Sequence, residues 1–90
     1  MSYQIEIKNK EGRAISVVDV DGDCPLSIGH WIDLRQLIEG VDLEDTSYIV
    51  SDIYWAPNEE NEKELTAFVH ISPANSYEDR RKILKEKGWL

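Results

Sequence analysis

Ninety residues, 41% hydrophobic and 31% charged, suffice for one modest folded domain, expected to span residues 1–90, and leave no room for a second. Eighteen acids against ten bases give a net charge of −8, which excludes a surface built to neutralise a nucleic-acid backbone. No apolar run is long enough to span a membrane, and the single Cys24 cannot form an internal disulfide, as suits a reducing compartment. The polar start "MSYQIEIKNKEGR" lacks the layout of a signal peptide, so the mature chain is expected to begin near Met1 and to remain in the cytoplasm.

In "YQIEIK", Tyr3, Ile5 and Ile7 alternate with Gln4, Glu6 and Lys8, the pattern of a half-buried strand. "NKEGR" is rich in turn formers. "AISVVDV" then alternates again, with Ala14, Ser16, Val18 and Val20 on one face, and residues 3–20 read as a hairpin. Pro25 and Gly29 break the next segment, leaving room for a short strand near Ile28–Ile32. "DLRQLIEG" carries helix signals: Asp33 and Gln36 at capping-box spacing, Leu34, Leu37 and Ile38 on one face, and Gly40 to end the turn.

"SYIVSDIYWA" is the strongest strand signal. Strict alternation puts Ile49, Ser51, Ile53 and Trp55 on one side and Tyr48, Val50, Asp52 and Tyr54 on the other. Both sides carry apolar groups, so the strand is expected to be central. After the acidic break "PNEENEKE", "LTAFVHIS" alternates with Leu65, Ala67, Val69 and Ile71 inward and Thr66, Phe68, His70 and Ser72 outward, completing a second hairpin. The last stretch reads as a helix. Ser76 is its N-cap, Glu78 and Asp79 sit at its positive end, and Gly88 is its C′ residue. Trp89 is then placed to fold back on Leu84. The fold class that follows is α+β: an antiparallel sheet of four to five strands, flat or curled toward a barrel, with a short central helix and a C-terminal helix packed on it.

Charge is unevenly spread. Residues 80–90 hold five bases against Glu86, a net +4, whereas residues 1–79 hold 17 acids against 5 bases, a net −12. Such asymmetry suits steering toward a charged partner, although solubility alone accounts for much of it.

The stretch "DVDGD" invites comparison with a calcium loop. Such a loop needs oxygen ligands at positions 1, 3, 5 and 12 around a glycine at 6. Setting Gly22 at position 6 puts Val17 at 1 and Ile28 at 12, so two ligands are lost, and Asp21-Gly22 reads as a turn. His30, His70 and Asp33 could share a transition metal only if folding gathered them, because no spacing motif joins them. Cys24 could serve as a nucleophile with a histidine, but a lone cysteine is more often a packed one. The scattered glycines make no phosphate loop. The expectation is therefore a protein with no catalytic residues, no metal and no cofactor.

Three tryptophans and four tyrosines are many for this length. Core filling uses some of them, but alternation sends Tyr54 and Trp55 to opposite faces, so part of the set is exposed. Exposed Trp and Tyr beside acids suit a protein interface with a basic partner surface. The sequence is read as a small acidic interaction module of the inhibitor, immunity or accessory-subunit kind, from a phage or bacterium. The expected contact residues are Trp31, Asp52, Tyr54 and Trp55, with Glu59, Glu60 and Glu62 at the rim. Direct contact with nucleic acid or membrane is not expected. Two alternatives stand beside this reading: a self-associating structural subunit, with the acidic body meeting the basic helix head to tail, and a small-ligand or metal-binding module.

Overall fold

The computed structural model of the chain describes residues 2–33, 47–57 and 64–90. Five strands and one helix follow in order: β1 Ser2–Lys8, β2 Ala14–Asp21, β3 Trp31–Asp33, β4 Ser47–Pro57, β5 Leu65–Pro73 and α1 Tyr77–Glu86. The strands form one sheet in the order β2-β1-β5-β4-β3, curled into a half-barrel. The central helix expected after Asp33 lies outside the described residues, while Asp33 itself ends β3.

Both expected hairpins are present. β1 and β2 pair antiparallel around the turn at residues 9–13, and β4 pairs antiparallel with β5. In that turn the Asn9 side chain accepts the backbone N–H groups of Glu11 and Arg13, at 3.1 and 2.9 Å, and Gly12 takes a positive φ of 82°. An asparagine that caps its own turn in this way fixes the reversal locally.

The sheet is mixed, however, and not antiparallel throughout. β5 inserts between β4 and β1 and runs parallel to β1, with Ile5 beside Val69 and Ile7 beside Ile71. Alternation within a strand does not encode the direction of a neighbour separated from it by three other strands. The chain reaches this arrangement by carrying residues 22–30 from β2 at one edge to β3 at the other. On the way Cys24, Leu26 and Ile28 pack against the core. Pro25 and Gly29 thus belong to a covering segment, where no ladder hydrogen bond is demanded of the proline.

That core comprises Tyr3, Ile5 and Ile7 of β1, Ala67, Val69 and Ile71 of β5, Tyr48 and Val50 of β4, and Ile32 of β3. Val18 and Val20 of β2 and Ile53 of β4 pack at its margin. The faces expected for β4 are corrected by a β-bulge. Val50 pairs with Ile71 and Asp52 with His70, leaving Ser51 as an extra residue. One added residue reverses the phase of everything after it. Tyr48 and Val50 therefore share the core face with Ile53 and Trp55, while Ile49 lies in a second cluster with Ala74 and Leu84 under the helix.

The bulge is held at both polar ends. Ser51 is fully buried, and its hydroxyl lies 3.2 Å from the His70 carbonyl and 2.9 Å from the Ser72 hydroxyl. Its own carbonyl accepts the indole N–H of Trp89 at 3.1 Å. Trp89 reaches it because α1 ends as the sequence predicts. Gly88 takes φ 84°, its N–H donates to the Lys85 carbonyl, and the Trp89 N–H donates to the Leu84 carbonyl at 2.9 Å. This is the double hydrogen bond of a Schellman motif. At the other end Ser76 caps the helix by accepting the Asp79 N–H at 3.1 Å. Arg80 ties α1 to the covering segment through Nε, which donates to the Gly29 carbonyl at 2.8 Å.

Candidate functional site

The two faces of the sheet are covered differently. The core face carries the segment with Cys24, Leu26 and Ile28. On the opposite face α1 packs over Ile49 through Leu84. Alternation and register place Gln4 and Glu6 of β1, Val17 and Asp19 of β2, Phe68 and His70 of β5, and Asp52 and Tyr54 of β4 on the remainder of that face.

At its centre the Tyr54 ring stacks on Phe68, with centroids 5.1 Å apart and planes 13° from parallel. The same ring meets His70 edge-on at 5.3 Å. Tyr54 nevertheless remains 47% exposed. Across the parallel ladder, Glu6 pairs with His70, and Glu6 Oε2 lies 3.0 Å from His70 Nε2. Gln4, Glu6, Val17, Tyr54, Phe68 and His70 line a shallow hollow of about 160 Å³. The arrangement is an aromatic floor bordered by the carboxylates of Glu6 and Asp52.

Burial lowers the pKa of His70 below its ordinary 6.5, and Lys8 and Lys87 push the same way, while Glu6 and Asp52 oppose them. The imidazole is therefore neutral at pH 7, and the proton on Nε2 is the one donated to Glu6. A base whose folded pKa is depressed supports the fold fully above about 6.5 and loses that contribution as pH falls through the folded pKa. Urea melts across this window should show the stability of wild type falling relative to a His70→Gln variant as pH drops. Parallel curves for the two proteins would mean that His70 is as well solvated in the fold as out of it.

The residues expected from sequence to make contacts do not share one surface. Asp52 and Tyr54 lie together on the open face. Trp55 points to the opposite face, 57% exposed, beside an apolar hollow of about 250 Å³ lined by Tyr3, Cys24, Leu65 and Ala67. Trp31 lies on edge strand β3 against the Tyr77 ring of α1, edge-on at 5.9 Å. Glu59, Glu60 and Glu62 lie outside the described residues. Cys24 is packed on the core face and His70 belongs to the other, so the sheet separates that pair. In "DVDGD", Asp19 and Asp21 end β2 and Gly22 turns the chain with φ 105°. Among the described residues, no three His, Cys, Asp or Glu side chains are grouped to hold a metal ion.

Glu6 escaped the sequence reading, and with it the link between the two hairpins. The only signal was a charged residue on a strand otherwise ready to be central. Its meaning depends on the parallel pairing, which the sequence did not reveal. Comparison with protein-family models, curated proteins and solved structures yields no match. Any functional argument therefore rests on this surface alone. Among the described residues no helix is long and apolar enough to cross a membrane.

Proposed function

We propose that this chain is a small, non-catalytic interaction module that binds a basic protein segment on the open sheet face. The observation that carries the reading is the half-exposed Tyr54 ring, propped on Phe68 and bordered by the carboxylates of Asp52 and Glu6. An arginine side chain fits such a surface in two ways at once. Its guanidinium plane stacks on the exposed ring, and its N–H groups donate to a neighbouring carboxylate. The excess of acids over residues 1–79 adds long-range attraction for the same partner. Regulatory roles that work by occupying another protein's basic surface, such as inhibition or subunit attachment, are the class of function that follows.

The test is the affinity of an arginine-bearing peptide for wild type and for a Tyr54→Ala/Asp52→Lys double variant. Loss of the ring and reversal of the charge are expected to weaken binding by at least about tenfold, as truncation of an interface anchor does. A Trp55→Ala variant should bind as wild type does. Equal affinities for wild type and the double variant would reject the face.

A further inference from the structure

We infer that His70 is a proton switch on the open face: once protonated it takes over the electrostatic position of the partner's cation, so acidification releases a bound basic segment. This regulation rests on the open face being a site for such a segment.

His70 stands on β5, the middle strand of the sheet. The parallel ladder sets Glu6 of β1 directly beside it, and the antiparallel ladder sets Asp52 of β4 on its other side. These are the same two carboxylates that border the Tyr54 ring. Glu6 Oε2 lies 3.0 Å from His70 Nε2, and the imidazole meets the Tyr54 ring edge-on at 5.3 Å. Glu6, Tyr54 and His70 also line one shallow hollow. A guanidinium stacked on Tyr54 and held by either carboxylate is therefore the near neighbour of the imidazole. His70 keeps only 18% of its side chain in solvent, so a charge on it is less screened than one on an open surface.

The two protonation states present different surfaces. Neutral His70 donates Nε2–H to Glu6 and leaves both carboxylates their full charge. A proton added at Nδ1 creates an imidazolium between them. That cation pairs with Glu6, offsets one of the two negative charges and repels a guanidinium approaching the ring. Burial is the largest influence on where this happens, and it lowers the His70 pKa below 6.5. Lys8 of β1 and Lys87 at the end of α1 push the same way, while Glu6 and Asp52 oppose them. On β2, one strand further out, Val17 lies opposite Glu6 and Asp19 opposite Gln4. The face is thus ready for a cation at neutral pH and loses it on the acid side of 6.5. Linkage makes the effect reciprocal: a bound cation must hold the imidazole neutral to a lower pH.

The test uses the full chain and an arginine-bearing peptide, capped at both ends and free of other titrating groups. Between about pH 7.5 and about pH 4.5, the wild-type dissociation constant should rise at least about threefold more than that of His70→Gln, whose amide can still donate to Glu6 but takes up no proton. His70→Lys, which carries a cation throughout, should bind more weakly than wild type at the neutral end. Melting temperatures at each pH check that every variant is folded. Saturating peptide should also move the NMR titration midpoint of the His70 imidazole to lower pH. Parallel weakening of wild type and His70→Gln would overturn the inference and assign the acid loss to the carboxylates themselves. So would an imidazole midpoint indifferent to bound peptide. A peptide that fails to bind wild type even at neutral pH would reject the open face as a site, and the switch with it.

Discussion

Replacing Ile71 with alanine is expected to destabilise the fold by about 3 kcal/mol, the mid-range cost of emptying a buried isoleucine site. Ile71 is fully buried in β5, with Ile7 beside it on the parallel side and Val50 on the antiparallel side. Neither neighbour can collapse into the void without disturbing a second ladder. For a chain of this length the loss is a large part of a total stability of roughly 5–13 kcal/mol. It should lower Tm by about 15 °C. Leu65 is the control. Sequence alternation assigns it to the same inward set, yet it is 56% exposed. Its replacement by alanine should cost no more than about 1 kcal/mol, in proportion to the smaller apolar area it buries. Equal losses at the two positions, read from urea melts, would mean that β5 is not seated as described.

Trp89 should matter more than a half-exposed side chain normally does. Truncation to alanine is expected to cost about 2–3 kcal/mol, part from lost apolar burial and part from an unpartnered carbonyl in the sheet. The ring remains 47% exposed, so burial alone does not account for the whole loss. Its indole N–H satisfies the Ser51 carbonyl, which the bulge removes from the regular ladder. Trp89→Phe separates the two contributions: it keeps most of the packing and loses the hydrogen bond, for about 1 kcal/mol. Gly88→Ala should reproduce part of the effect without touching the ring, because alanine disfavours φ 84° and the turn delivers Trp89 to the bulge. A Phe variant as unstable as the Ala variant would contradict this division.

What the sequence could reveal here was local. Alternation in β1, in β2 from Ser16 onward and in β5 from Ala67 onward, the Asn9 turn and the α1 caps all depend on residues a few positions apart, and they are found where the pattern puts them. A bulge at Ile15 moves Ala14 off the face expected for it, and at the start of β5 Leu65 is exposed and Thr66 buried, the reverse of the pattern. The parallel partnership of β1 and β5 has no local signature, and it is what brings Glu6 to His70. The bulge at Ser51 was hidden for a different reason. Strict alternation through "YIVSDIYW" looks sound because both sides are apolar, and only the buried hydroxyl of Ser51, an awkward core residue, hinted at an interruption. Of the contact residues expected from sequence, Asp52 and Tyr54 fall on one face because they sit two apart beyond the bulge. Trp31 and Trp55 were grouped with them by chemistry alone, and the backbone directs them elsewhere.

The open face is most directly tested by titrating an arginine-bearing peptide into isotopically labelled protein and following the backbone amides by NMR. Shifts are expected to concentrate at Asp52, Tyr54, Phe68, His70 and Glu6, with an acidic peptide of equal length producing none. Shifts centred on the hollow beside Trp55 and Cys24, or spread evenly over the acidic surface, would contradict that expectation.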